Sequence, residues 1–128
     1  MLVGKRLLIV EDEFLIALDI QRILEAAEAS ATLFARSVGE AEAQTEKFST
    51  LDLAIIEIAG EPDRASQFAM LLLAHGVPVV FTSSSIQHRE GLTDVPQAPV
   101  VIKPFAEEEL LAACLAALKG KRQVDLDQ

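Results

Sequence analysis

The pattern of apolar and polar positions along this chain alternates between two kinds of segment. Short runs of branched apolar residues, each bounded by polar residues, are typical of strands buried inside a parallel sheet. Longer segments whose apolar residues recur every three or four positions are typical of amphipathic helices. Strand and helix alternate five times over the 128 residues. This predicts an α/β domain with helices on both faces of a parallel sheet.

The same pattern gives approximate bounds for the elements. Strands are predicted at residues 7–10, 32–34, 51–58, 77–81 and 100–102. Helices are predicted at about 13–27, 38–47, 64–75 and 106–119, of which the second has few apolar anchors. Ser37 and Glu40 have the spacing of a capping box, and Gly120 is predicted to end the last helix. The segment 84–98 is interrupted by glycine and proline, so its helix is predicted to be short or irregular.

The expected architecture is a flavodoxin-like, doubly wound five-stranded parallel sheet with the strand order 2-1-3-4-5. The chain is long enough for one domain with its own core, which we place at residues 1–120, followed by a polar C-terminal tail at 121–128. In this strand order the carboxyl ends of strands one, three, four and five share one edge. Ligands bind at that edge in open α/β sheets.

Composition excludes several classes of function. The formal net charge of −9 argues against binding to nucleic acid or to an anionic membrane surface, because both need clustered Lys and Arg. Cys114 is the single cysteine, so no internal disulfide is possible and a reducing cytoplasm is the expected location. No apolar segment approaches the length of a transmembrane helix.

Side chains capable of chemistry follow four of the predicted strands. Glu11 and Asp12 come directly after the first strand, and Glu57 lies at the end of the third. Ser83 follows the fourth strand and Lys103 follows the fifth. Because the carboxyl ends of these strands are expected to share one edge, the five side chains are predicted to converge there.

Glu11, Asp12 and Glu13 would repel one another at this edge. Two unit charges about 4 Å apart interact at roughly 4 kcal/mol if the effective dielectric constant is about 20. A cation, a lysine or protonation of a carboxyl is therefore needed to hold such a cluster. The alternative is a solvated helix start, where acids interact favourably with the helix dipole. We prefer this alternative for Glu13 and the site for the other two.

The converging residues have the parts of a phosphoryl-transfer centre. Two or three carboxylates suit Mg²⁺, which prefers oxygen ligands, and the predicted metal ligands are Glu11, Asp12 and Glu57. Lys103 is a point charge suited to a phosphoryl oxygen, and the Ser83 hydroxyl is a second donor.

These residues resemble the receiver domain of the two-component response-regulator family over nearly the whole chain. The matching motifs are LIVEDE at 8–13, DLAII at 52–56, PVVFTS at 78–83 and KPF at 103–105. The resemblance implies that Glu11 and Asp12 bind Mg²⁺ and that Glu57 stands at the phosphoacceptor position. It also implies that Ser83 and Lys103 support the phosphoryl group, with a cis peptide before Pro104.

The chain departs from the family pattern at its switching residues. Glu57 replaces the usual Asp, and its extra methylene moves the reactive oxygens by roughly 1.5 Å. A misplacement of about 1 Å can lower a rate on the order of a hundredfold. The longer side chain could instead reach Lys103 and take the place of a phosphoryl group. Val100 replaces the usual Tyr or Phe, and both the segment 84–98 and the loop after Glu57 are atypical.

The favoured hypothesis is an atypical, stand-alone receiver that is not an enzyme and acts by binding a histidine kinase or another signalling protein. Phosphorylation would be weak or absent, and the chain would be a monomer or a weak homodimer. One alternative is an ordinary phosphoacceptor regulator phosphorylated on Glu57. A less favoured alternative is a Mg²⁺-dependent phosphohydrolase, which would normally need a cap that this chain has no residues to build.

The remaining candidate residues are assigned structural roles. Neither histidine has metal partners at a recognisable spacing. His75 is predicted to interact with the dipole at a helix end, and His88 is predicted to be solvated. Cys114 is predicted to be a small core residue.

Overall fold

Five parallel strands form one sheet in the order β2-β1-β3-β4-β5, as the hydrophobic runs predict. The strands are β1 (Arg6–Val10), β2 (Ala31–Ala35), β3 (Leu53–Glu57), β4 (Val79–Ser83) and β5 (Val100–Ile102). With this strand order, the fold is the expected flavodoxin-like one. The structure is a computed structural model that describes residues 1–127, except for the side chains of residues 45 and 121–127.

The core lies on both faces of the sheet because successive side chains of a strand point in opposite directions. In β1, Leu7 and Ile9 belong to the cluster that packs against the first and last helices, whereas Leu8 and Val10 belong to the opposite cluster. All four residues are buried. The central strands are covered on both faces, which explains why their sequences are continuous apolar runs rather than alternating ones.

Four α-helices cover the sheet: α1 (Phe14–Ala26), α2 (Val38–Glu42), α3 (Pro62–Ala74) and α4 (Glu107–Asp127). The Ser37 side chain accepts a hydrogen bond from the backbone N–H of Glu40, as expected of an N-cap. The prediction of a helix over 38–47 is wrong in its second half, where a 3₁₀ helix (Thr45–Thr50) follows. This turn buries Phe48 against Phe68, a packing interaction that the weak helical pattern did not indicate.

The last helix also differs from the prediction. Gly120 does not end α4, which continues to Asp127. Glycine in a helix costs about 1 kcal/mol relative to alanine, but it keeps its backbone N–H and so does not have to break the helix. The division into a domain of residues 1–120 and a tail of 121–128 stays a prediction, and the side chains of that tail lie outside the described residues.

The segment between β4 and β5 is irregular, as predicted. Its helical content is one 3₁₀ turn, Ile86–His88, and Val95 is fully buried in the core further along it. Strand β4 ends two residues later than the predicted 77–81, so Thr82 and Ser83 lie within the sheet. Among the described residues, no helix has both the length and the apolar character needed to cross a membrane.

Candidate functional site

Three charged side chains meet at the carboxyl edge of the sheet. Glu11 directly follows β1, Glu57 is the last residue of β3, and Lys103 directly follows β5. The Nζ atom of Lys103 lies 2.7 Å from Oε1 of Glu11 and 2.7 Å from Oε1 of Glu57. The contact with Glu57 is a hydrogen bond donated by the ammonium group. The strand order thus brings together residues that are 46 positions apart in the sequence.

The three side chains are shielded from solvent to different extents. The exposed fraction is 0% for the Glu11 side chain, 10% for Lys103 and 13% for Glu57. A second oxygen of Glu11 accepts a hydrogen bond from the backbone N–H of Glu13, at 3.2 Å. Because Lys103 is the one cation in this trio, the group carries one more acid than base. A buried excess charge of this kind favours retention of a proton.

The pKa values of the two glutamates move in opposite directions. Burial, reinforced by a hydrogen bond with Glu57, raises the pKa of Glu11 to about 7. Burial by itself would raise the pKa of Glu57, but hydrogen bonds with Glu11 and Lys103 outweigh it and lower the pKa. Burial likewise opposes the charge of Lys103, yet its two acidic partners raise its pKa. The arrangement therefore favours an ionised Glu57, a charged Lys103 and a proton shared through Glu11.

The raised pKa of Glu11 predicts a specific pH dependence of folding stability. The folded state binds this proton more tightly than the unfolded chain, whose pKa is near 4.5. The contribution is therefore present below pH 4.5 and is lost as the pH rises towards about 7. The loss is on the order of 3 kcal/mol, and Glu11→Gln is expected to remove most of the slope in this window. Urea unfolding between pH 4.5 and pH 8 measures it.

Glu25→Gln is the matched control because Glu25 is an exposed acid of α1 that is not among the four acids grouped at the carboxyl edge. This variant is expected to keep the pH slope of the wild type. An unchanged slope in Glu11→Gln would show that another group carries the effect.

Four acids could hold a metal ion at this edge. Glu11, Asp12, Glu13 and Glu57 each offer a carboxylate oxygen, and the four oxygens lie within 4.8 Å of one another. An all-oxygen donor set with exposed members suits Mg²⁺, which keeps several waters. Glu13 is exposed, as predicted, but its oxygen belongs to the same group. Whether the predicted ligands Glu11, Asp12 and Glu57 act as such stays a prediction.

The Ser83 hydroxyl contacts a residue that sequence reasoning missed. Its Oγ atom lies 2.6 Å from Nδ1 of His88 and accepts a hydrogen bond from the backbone N–H of Ser85 at 3.0 Å. The prediction that His88 is solvated is wrong, because this side chain is half-buried and hydrogen-bonded. Ser83 and His88 are five residues apart, a spacing that matches neither the helix nor the strand period. The contact arises because the 3₁₀ turn Ile86–His88 brings the histidine back to the end of β4.

The other residues that were assigned structural roles have well-defined surroundings. Cys114 is fully buried in the core, as predicted, and burial raises the pKa of its thiol to about 12. His75 is the C-cap residue of α3, and its Nδ1 lies 2.9 Å from the carbonyl oxygen of Leu71. Val100 is the first residue of β5, and its apolar side chain packs against the core cluster that contains Phe81. The peptide bond between Lys103 and Pro104 is cis, as the resemblance implied.

Comparison with known proteins identifies similar structures, although no family model and no curated protein matches the sequence. A response regulator receiver protein from Sinorhizobium medicae is 21% identical with a TM-score of 0.79, covering 94% of this chain and 99% of that one. SdrG from Pseudomonas melonis, in its BeF3-activated conformation, is 29% identical with a TM-score of 0.72, covering 92% of this chain and 99% of that one.

A longer protein is also similar over about half of its length. The anti-anti-sigma factor PhyR from Bartonella quintana is 24% identical with a TM-score of 0.75, and the alignment covers 98% of this chain but 51% of PhyR. These neighbours are signalling proteins rather than enzymes. The chain therefore has the receiver-domain fold of response regulators.

Proposed function

We propose that this chain is an atypical receiver of two-component signalling that acts by protein–protein interaction with weak or no phosphorylation. The observation that carries the proposal is the contact of Lys103 with both Glu11 and Glu57 at 2.7 Å. The lysine that would bind an incoming phosphoryl oxygen already has two carboxylate partners. An ammonium has three N–H donors, so an incoming phosphoryl group would find at most one of them uncommitted and would compete with both carboxylates for the charge of Lys103.

The length of Glu57 supports the same proposal. Its Oε1 atom reaches the ammonium of Lys103, which an Asp side chain one methylene shorter would do less readily. The carboxylate thus occupies the position in which a phosphorylated receiver would present its phosphoryl oxygens to the lysine. In this interpretation the charge pattern of the activated state is partly supplied by the protein itself.

An exposed apolar surface beside the acids supports the interaction role. Phe14 and Leu15 at the start of α1 are 72% and 78% exposed. Phe14 also lines a groove formed by eight residues: Glu11, Asp12, Phe14, Ala17, Leu18, Phe34, Ala35 and Arg36. Large exposed apolar side chains grouped in this way are typical of protein-binding surfaces. A histidine kinase or another signalling protein is the proposed class of partner.

The ordinary phosphoacceptor regulator is the second candidate. The lowered pKa of Glu57 keeps this carboxylate ionised, and ionisation is what a nucleophile for phosphoryl transfer requires. The nearby oxygens of Asp12 and Glu13 suit a metal that would activate the donor. Against it stands the engagement of Lys103 by two acids.

Treatment with acetyl phosphate and Mg²⁺ distinguishes the two candidates. Transfer would form a P–O bond to a Glu57 oxygen as the P–O bond to acetate breaks. We expect the intact mass of most of the protein to remain unchanged after an hour. Stoichiometric gain of one phosphoryl group, lost in Glu57→Gln, would favour the second candidate instead.

A further inference from the structure

The hydroxyl of Ser83 has more than one partner, and they all lie on the segment that follows β4. Its Oγ atom accepts a hydrogen bond from the backbone N–H of Ser85 at 3.0 Å. It also lies 2.6 Å from Nδ1 of His88 and 3.5 Å from the carbonyl oxygen of Ser85. The residue itself is 1% exposed, so water does not readily replace these partners.

A serine hydroxyl has one proton to donate, and this limits what Ser83 can do. The proton can go to Nδ1 of His88 or to the carbonyl oxygen of Ser85, which is 0.9 Å more distant by the two separations of 2.6 and 3.5 Å. Hydrogen bonds weaken steeply at the longer separation, so His88 is the favoured acceptor when its Nδ1 carries no proton, whereas the other tautomer would donate to the hydroxyl. In that state His88 carries its ring proton on Nε2, and the hydroxyl has no proton left for an anion.

We propose that His88 is a positioning residue that holds the proton of the Ser83 hydroxyl and thereby withdraws this hydroxyl from the carboxyl edge. The inference rests on the proposed function, in which Ser83 stands at the phosphoryl-support position. Lys103 is next to it, since the backbone N–H of Lys103 donates to the carbonyl oxygen of Ser83 at 2.8 Å. The backbones of the two residues are therefore neighbours across β4 and β5, and in the proposed mechanism an anion bound at Lys103 uses the hydroxyl after the bond to His88 breaks.

The same bond connects the sheet to the surface of the 84–99 segment. His88 ends the 3₁₀ turn that begins at Ile86, and Ile86 is 65% exposed. Loss of the bond would free this turn from its side-chain contact with β4. An anion at the edge and a partner at Ile86 would thus be coupled through one hydrogen bond. Binding of either would change the fraction of molecules in which the Ser83–His88 bond is formed, and so change the affinity for the other.

The tautomer of His88 is the first test. Long-range ¹H–¹⁵N NMR of the full chain at pH 8 is expected to show an unprotonated Nδ1 and a protonated Nε2. In Ser83→Ala the Nδ1 resonance is expected to shift because its donor is gone. A protonated Nδ1 in the wild type, or an unchanged Nδ1 resonance in Ser83→Ala, would overturn the proposal whatever the binding data show.

Binding of beryllofluoride with Mg²⁺ is the second test, measured in the wild-type and Glu57→Asp backgrounds. His88→Ala is expected to bind about fivefold more tightly than its parent, the gain from one released hydrogen bond. His88→Asn, whose side-chain oxygen can accept the same proton, is expected to restore the parent affinity. The gain is expected to vanish when Ser83→Ala is added.

The two tests separate this inference from the proposed function. Tight beryllofluoride binding by the wild type would contradict the proposed function. The inference about His88 would still be decided by the ratio of the beryllofluoride affinities of His88→Ala and His88→Asn. Equal affinities of the two variants, or an equal gain in the Ser83→Ala background, would overturn it. If neither background binds beryllofluoride, the tautomer of His88 and its response to Ser83→Ala decide alone.

Discussion

Replacing Lys103 with methionine is expected to destabilise the protein by about 3–5 kcal/mol at neutral pH. Methionine keeps much of the length of the side chain but leaves Glu11 and Glu57 without the ammonium that both contact at 2.7 Å. The Glu11 side chain is fully buried and that of Glu57 is 13% exposed, so the negative charge that the two acids share around one proton would have little solvent to replace the lost partner. Urea unfolding at pH 7.5 measures the loss.

Protonation is expected to relieve this loss, because a neutral carboxyl does not need the lysine. The difference between Lys103→Met and the wild type should therefore shrink as the pH falls towards 5, and adding Glu11→Gln should recover part of the stability at pH 7.5. Lys47→Met is the matched control, since Lys47 is exposed and its backbone carbonyl oxygen, not its ammonium, accepts the hydrogen bond from Thr50. Equal effects of the two substitutions would refute the structural role assigned to the trio.

Shortening Glu57 to aspartate is expected to raise the rate of phosphorylation by acetyl phosphate and Mg²⁺ on the order of a hundredfold. The change withdraws the carboxylate by roughly one C–C bond and weakens its 2.7 Å contact with Lys103. Space and a free donor then become available for a phosphoryl group. Intact-mass measurement over time gives the rate, and the new acyl phosphate is identified by its lability to hydroxylamine.

Two variants control this experiment. Glu57→Asn keeps the shorter length but lacks a nucleophilic oxygen, so it should remain unmodified. Glu61→Asp shortens an exposed acid just before α3 and should behave as the wild type does. A Glu57→Asp protein that reacts no faster than the wild type would show that side-chain length is not what limits phosphorylation.

The sheet was predictable from the sequence because its information is local. A run such as residues 7–10 identifies a strand by composition alone, and alternating helices leave few possible connections. The convergence of Glu11, Glu57 and Lys103 followed from that topology. The protonation of Glu11 did not follow from it, since this depends on how deeply Glu11 is buried and on its 2.7 Å contact with Lys103, both of which arise from tertiary packing.

The wrong predictions concern places where tertiary packing decides between local alternatives. The 38–47 segment has helical composition, yet burial of Phe48 ends α2 early and favours a 3₁₀ helix. At Gly120 the intrinsic cost of glycine is small enough for α4 to continue. His88 has no motif of its own, and its contact with Ser83 exists because of how one irregular turn folds back.

The ion pairs of Lys103 also have a mechanical consequence. They join the end of β5 to the ends of β3 and β1, although β5 is hydrogen-bonded to β4 alone within the sheet. Side-chain contacts therefore tie together strands that the backbone ladder does not connect directly. The edge is therefore already ordered before a partner docks beside it, and this part of the chain loses little conformational entropy on binding.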